Sequence, residues 1–154
     1  MAQILLLSHT LNGTIGQVYD CLLDFQKFGK CHPFMRDTTV IKVNPPNWIE
    51  YAVKEEILLL GFLKIRPEYR AEVTAVAQDK QIKYFSKAKG GIVLTIHFLL
   101  LDLGNGVVQV NENIEVKGNP LLNKYFLNIL RKAHLKTFEN IQTMLLVNRK
   151  ADVK

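Results

Sequence analysis

The sequence has few of the features that mark secreted, membrane-spanning or metal-binding proteins. Its two cysteines, Cys21 and Cys31, are too far apart for a CxxC pair, which favours free thiols in a reducing compartment. The longest apolar stretch, residues 57–63, is far below the ~18–20 residues that cross a bilayer. The apolar run at residues 4–7 is shorter than the core of a secretion signal and has no basic residue before it. We therefore expect a soluble cytoplasmic protein.

Signatures of metal and phosphate sites are also missing. No cluster of His, Cys and Asp has ligand spacing, and the glycine pairs lie in turns rather than ahead of a helix, so we predict no metal and no cofactor. The chain has 154 residues, 48% of them hydrophobic and 22% charged, which is the length and composition of one folded domain. We expect residues 1–154 to form a single domain.

The net charge of +6 lies at one end of the sequence. Residues 117–154 hold eight Lys and Arg against Glu139 and Asp152, whereas residues 1–116 hold twelve of each sign. The simplest interpretation is the solvated back of a helix, and the second is weak attraction to an anionic membrane or an acidic partner. Nucleic-acid binding is not expected, since no exposed aromatics alternate with these charges. The sequence does not indicate an oligomeric state.

Apolar periodicity predicts a strand, two short helices, six further strands and one long helix. The first strand covers residues 3–11, Thr14 caps the first helix and Asp24 begins the second. From Phe34 to Lys117 the period is two, with turns at regular intervals, which is typical of an antiparallel sheet.

The long strand predicted after Gly61 separates its faces well, and we expect Arg66, Arg70 and Glu72 on the exposed face. The last helix is predicted from Asn119 and Pro120 to about residue 146. Its apolar stripe should cover the other face of the sheet. The residues of this stripe are Leu122, Phe126, Ile129, Ala133, Thr137, Ile141 and Met144.

This order of elements resembles the helix-grip fold of the START-like SRPBCC superfamily over nearly the whole chain. Residues 15–25 are similar to the first helix and its bend in these proteins, and His32-Pro33 to the start of the second strand. Residues 106–118 with the basic helix resemble the polyketide cyclase/dehydrase and lipid-transport branch. The resemblance implies an α+β fold in which a seven-stranded curved antiparallel sheet wraps around the long C-terminal helix. It also implies a cavity for an apolar ligand between them, and no catalytic signature.

Strand phase and the helix stripe select the side chains that we expect to line this cavity. Glu55 and Glu112 fall in phase with apolar neighbours, as do three tyrosines. The expected lining residues are Tyr51, Val53, Glu55, Tyr69, Tyr84, Ile96, Phe98, Val110, Glu112, Phe126, Ile129 and Ala133. In the competing interpretation the core is filled, the tyrosines only pack, and the carboxylates reach water at a bulge or a mouth.

Two functions follow from these residues. The first is binding or carrying of a lipid-like or polyketide-like molecule, and the alternative is a cyclase, dehydratase or hydrolase with a carboxylate or tyrosine as acid and base. Binding is favoured because so few titratable groups converge. If Glu112 faces an apolar cavity, we expect desolvation to raise its pKa, unless a partner such as an inward tyrosine compensates. We expect His9 and His134 at the surface or in packing, and no Cys31–His32 catalytic dyad.

Overall fold

Nine strands and three helices make up the computed structural model, which describes residues 1–153. The helices are α1 (Ile15–Leu23), α2 (Phe25–Cys31) and α3 (Pro120–Asp152). The strands are β1 (Gln3–Asn12), β2 (Met35–Asn44), β3 (Trp48–Glu55), β4 (Ile57–Leu59), β5 (Leu63–Ile65), β6 (Glu68–Ala77), β7 (Gln81–Lys87), β8 (Val93–Gly104) and β9 (Val107–Lys117).

Seven of the strands form one antiparallel sheet in the order β1-β9-β8-β7-β6-β3-β2. β1 and β2 therefore lie at opposite edges, and α1 and α2 connect them across one end of the sheet. Helix α3 packs along the concave face and contacts β1, β9 and α2. The predicted fold class is confirmed: two short helices follow the first strand, and a seven-stranded sheet wraps around a long C-terminal helix.

The long strand predicted after Gly61 is interrupted, and so is the strand that precedes Gly61. β4 and β5 form a separate two-stranded hairpin, closed by Leu60 and Gly61 at φ 53° and 78°. The ladder breaks at Glu56, whose backbone N–H donates to the carbonyl of Phe34 (2.9 Å) instead of to β6. Pro67 has no N–H to extend β6 backwards, so the hairpin leaves the sheet at this point.

Local sequence explains the ends of the other elements. Thr14 and Gln17 form a reciprocal capping box at the start of α1, and Asn119 caps α3 just before its proline. Asn105 and Gly106 form the two-residue turn between β8 and β9, at φ 55° and 71°. Such a turn needs left-handed backbone at both positions, which asparagine and glycine adopt readily.

Helix α3 is longer than predicted, and its apolar stripe is buried over only part of its length. Ala133 and Ile141 are buried as expected, but Leu122 is 53% exposed, and Phe126 and Ile129 are partly buried. These three residues lie in the first turns of α3, which flank an open space rather than a packed sheet face.

Arg66 and Arg70 are both exposed, as expected, although Arg66 lies between β5 and β6 rather than on the sheet. Glu72 is partly buried, because the indole N–H of Trp48 donates to its carboxylate (3.1 Å). None of the helices within residues 1–153 has a stretch long and apolar enough to cross a bilayer.

Candidate functional site

A cavity of about 280 Å³ lies between the concave face of the sheet and the N-terminal half of α3. Its lining includes α3 from Leu122 to His134, a length of about 18 Å at 1.5 Å per residue. The volume is slightly below the roughly 300–1,000 Å³ found for ligand cavities. Most of its walls are aliphatic or aromatic side chains. The lining side chains with polar groups are His32, Glu55, Tyr69, Tyr84, Ser86, Tyr125 and His134.

Seven of the twelve expected residues line this cavity, and the other five do not. The lining residues are Glu55, Tyr69, Tyr84, Ile96, Phe126, Ile129 and Ala133. The buried residues outside the cavity lining are Tyr51, Val53, Phe98, Val110 and Glu112.

Packing partners explain part of this division. The Tyr51 ring packs 5.3 Å from Phe25 of α2, and the Phe98 ring lies 6.4 Å from Phe138 in the C-terminal half of α3. One part of the concave face is therefore filled core, and the other part is open. The filled-core interpretation therefore applies to one part of the concave face and the cavity interpretation to the other, but neither Glu55 nor Glu112 is exposed to water as the filled-core interpretation expected.

Glu55 and Tyr69 form a hydrogen-bonded pair in the cavity wall. The Tyr69 hydroxyl donates to Oε1 of Glu55 at 2.5 Å. Burial raises the pKa of Glu55, and the bond from Tyr69 and the nearby His134 oppose that rise. Burial also raises the pKa of Tyr69 well above its ordinary value, and the adjacent carboxylate adds to this effect. The phenol therefore keeps its proton and donates a hydrogen bond to Glu55.

Tyr84 uses its hydroxyl within the protein. It donates to the carbonyl of Leu22 at the end of α1, while its ring packs edge-on against Phe25 and Phe28 at 5.0 and 5.3 Å. Burial raises the pKa of this phenol well above its usual range. Tyr84 thus offers the cavity the side of a ring rather than a free hydrogen-bonding group.

Glu112 sits behind the cavity, between two histidines. Its Oε1 is 2.7 Å from Nε2 of His9, and its Oε2 is 2.7 Å from Nδ1 of His134. All three side chains are buried, and the His9 ring stacks on Phe138 with centroids 3.8 Å apart. A carboxylate only accepts hydrogen bonds, so each ring nitrogen that faces it carries a proton. His134 also lines the cavity and connects this charged cluster to it.

Solved structures of other proteins share this arrangement of sheet and helices. No protein-family model and no curated protein matches the sequence. The Zhui aromatase/cyclase from Streptomyces sp. R1128 has a TM-score of 0.75 at 10% identity, over 94% of this chain and 94% of that one. A START superfamily protein from Mycobacterium smegmatis gives 0.70 at 11%, over 92% and 98%. Ara h 8.0201 gives 0.72 at 10%, over 96% and 99%.

The protein has the START-like helix-grip fold. Because the sequence identities are low, these similarities concern the path of the backbone. They assign no role to any side chain of this protein. Its site must be understood from its own residues.

Within this START-like fold, the expected rise in the pKa of Glu112 is wrong. Burial alone would raise it, but attraction to His134 and the hydrogen bonds from both histidines outweigh burial and lower the pKa to about 2. The expectation considered a tyrosine as a possible partner and placed both histidines at the surface or in packing. Glu112 is therefore a buried carboxylate with two N–H donors, not an isolated acid.

The sequence carried a signal for both histidines. His9 is in phase with Leu5 and Leu11 along β1, and His134 lies three and four residues before Thr137 and Phe138 on the buried side of α3. The periodicity of β1 and of α3 therefore places both histidines on the buried side of these elements. A carboxylate at an inward position of β9 required such partners, but they are 103 and 22 residues away in the chain.

His32 is a further cavity residue that the sequence did not identify as one. It follows α2 and is buried, and its ring centroid lies 6.0 Å from that of His134 with the rings nearly perpendicular. Burial raises the pKa of Cys31, as it raises that of Cys21 to about 11, so neither thiol is activated. No group of three potential ligands in the described part of the chain is placed to hold a metal ion.

Proposed function

We propose that the protein binds a hydrophobic small molecule in the cavity between the sheet and α3. The cavity itself is the observation that supports this function. Its walls are mostly apolar, and its few polar groups include Glu55 and the neighbouring histidines His32 and His134. Ligand sites usually combine such walls with a few placed polar groups.

The shape and chemistry of the walls suggest the class of ligand. Aromatic rings of Phe25, Phe28, Phe34 and Phe85 line the cavity together with aliphatic side chains. A cavity that follows α3 for about 18 Å suits a chain or a row of fused rings. We therefore propose a lipid-like or polyketide-like molecule with its polar end toward the histidines.

The outer end of the cavity is bordered by exposed apolar side chains. Leu122 and Tyr125 line it and are 53% and 41% exposed, and Leu59 of the β4–β5 hairpin lines it as well. The exposed basic residues Lys124 and Arg131 follow on the same helix. We propose that this end admits the ligand, and that the basic helix makes at most a weak contact with an anionic membrane or an acidic partner.

An enzyme that uses cavity carboxylates or tyrosines as acid and base is less well supported. Tyr69 donates to Glu55, Tyr84 donates to a backbone carbonyl, and both oxygens of Glu112 accept from histidines. These groups are already paired with one another. A ligand would have to break such a pair before the group could transfer a proton to it.

Thermal unfolding in the presence of candidate ligands tests the proposal. A ligand at a hundredfold excess over its dissociation constant adds about 2.7 kcal/mol to the free energy of unfolding, which raises Tm by several degrees. The panel should contain fatty acids, isoprenoids and aromatic polyketides. We expect at least one class to stabilise the protein.

Two variants make this test specific for the cavity. Ala133→Phe places a ring in the cavity and should abolish the shift, whereas Leu135→Phe enlarges an exposed residue two positions along α3 and should leave it unchanged. Equal shifts in both variants would place the binding elsewhere on the protein. No shift with any compound would contradict the proposed function.

A further inference from the structure

Two buried histidines line the same end of the cavity, and their ring nitrogens have complementary hydrogen-bonding roles. His134 and His32 are 2% and 7% exposed, and both line the cavity. Their ring centroids are 6.0 Å apart. Within residues 1–153, no hydrogen bond engages Nε2 of either ring.

His134 is held as a base. Its Nδ1 carries the proton that it donates to Oε2 of Glu112 (2.7 Å), and the other oxygen of Glu112 is held by His9. In the neutral ring this leaves the lone pair on Nε2. The Glu112 carboxylate also stabilises the imidazolium that forms when Nε2 accepts a proton, as a carboxylate does behind a catalytic histidine.

His32 is held as a donor. Its Nδ1 accepts the backbone N–H of Phe34 at 3.2 Å, so in the neutral ring Nε2 carries the hydrogen. Burial lowers the pKa of His32 to about 3, and repulsion from His134 adds to this effect. The ring therefore stays neutral at physiological pH and can donate a hydrogen bond without releasing a proton.

We propose that His134 and His32 form a base–donor pair that enolises a carbonyl compound bound in the cavity. Nε2 of His134 takes a proton from the carbon next to the carbonyl. The C–H electron pair becomes the carbon–carbon double bond of the enolate, and the carbonyl π pair moves to oxygen, which accepts a hydrogen bond from Nε2 of His32. Return of the proton to carbon regenerates the ketone and the neutral His134, so no other reactant is consumed.

The proposal rests on the proposed function, because the reacting molecule must first occupy the cavity. It differs from acid–base catalysis by carboxylates or tyrosines, since both catalytic residues are histidines. Glu112 acts only through His134 and is a positioning residue. The reacting group is at the buried end of the cavity, where apolar walls exclude water and strengthen both hydrogen bonds.

Deuterium exchange into an apolar methyl ketone tests the pair directly. Acetylnaphthalene and methyl nonyl ketone are incubated with the protein in deuterium oxide, and loss of the proton signal next to the carbonyl is followed by NMR. Binding of the same ketones is measured separately by thermal shift. We expect the wild type to exchange these protons faster than free imidazole at equal concentration.

Replacement of His134 by Gln should reduce the exchange rate by about a hundredfold or more. His32→Phe should also slow exchange, and His32→Gln, which keeps an N–H donor, should recover part of the rate. His97→Gln is the matched control, because His97 is exposed on the outer face of β8. Circular dichroism shows whether His134→Gln still folds, and the two His32 variants test the pair independently if it does not.

Each outcome separates the two proposals. A wild type that binds a ketone without exchanging its protons would overturn the base–donor pair and leave ligand binding in place. Exchange that is unchanged in the His32→Phe variant would also overturn the pair. If neither ketone binds or exchanges its protons, the base–donor pair is overturned, and the thermal-shift panel decides separately whether the cavity binds a ligand.

Discussion

Replacement of Glu112 by Gln removes the charge that His9 and His134 share while keeping the size of the side chain. The amide still has one oxygen for one N–H donor, but its NH₂ group faces the other ring, which must change tautomer or lose its hydrogen bond. The variant therefore separates the electrostatic contribution of the cluster from its packing.

The pKa of Glu112 gives the magnitude. It falls from the ordinary 4.5 to about 2, which corresponds to about 3 kcal/mol of stability near neutral pH. Because the folded pKa is below the unfolded one, this contribution is complete above the unfolded value. It is lost as the pH falls toward the folded value. At about pH 3 roughly 2 kcal/mol of it should already be gone.

Urea unfolding of both proteins near pH 7 and near pH 3 measures this effect. We expect Glu112→Gln to be less stable than the wild type by about 3 kcal/mol at the higher pH, and the gap to narrow at the lower pH. Glu115→Gln is the control on the same strand, where a partly exposed pair with Lys117 contributes at most about 1 kcal/mol. Equal stability of Glu112→Gln and wild type at pH 7, or a gap independent of pH, would refute this account of the cluster.

Three further changes probe the packing, the helix cap and the charged helix. Phe98→Ala should lower the free energy of unfolding by about 3–5 kcal/mol in urea, and a loss below about 1 kcal/mol would show that Phe98 is not core. Thr14→Ala should cost about 1 kcal/mol by removing the cap of α1, measured in the same way, and no loss would dismiss the cap. Sedimentation with anionic liposomes should show binding that disappears toward about 0.5 M salt. It should weaken when Lys124, Arg131 and Lys132 become Gln, and salt-insensitive binding or none would leave only a solvated face.

The fold could be predicted because its local signals agree with one another. Val108, Val110, Ile114 and Val116 alternate along β9 and are all buried, as the period of two requires. The single long apolar stripe near the C terminus had no other surface to cover than this sheet. Short turns account for the neighbouring pairs β2–β3, β6–β7, β7–β8 and β8–β9, whereas the pairing of β1 with β9 joins the two ends of the sheet's sequence.

The site could be predicted only in part, because its defining contacts join distant segments. Periodicity identified Glu112 as inward-facing but could not show that His9 and His134 meet its two oxygens. It also could not show which inward residues lie in the filled part of the concave face, since that depends on where α2 and α3 pack. Pro67 was a signal that went unused, because a proline just before β6 prevents this strand from extending backwards into the β4–β5 hairpin.

Native mass spectrometry with an equimolar mixture of apolar ligands tests the central claim most directly. The wild type and Ala133→Phe are mixed with the same fatty acids, isoprenoids and aromatic polyketides, and the mass of any complex is recorded. We predict a complex of one protein with one ligand for the wild type and none for the variant. No complex with the wild type, or equal occupancy of both proteins, would contradict the claim that this cavity holds an apolar molecule.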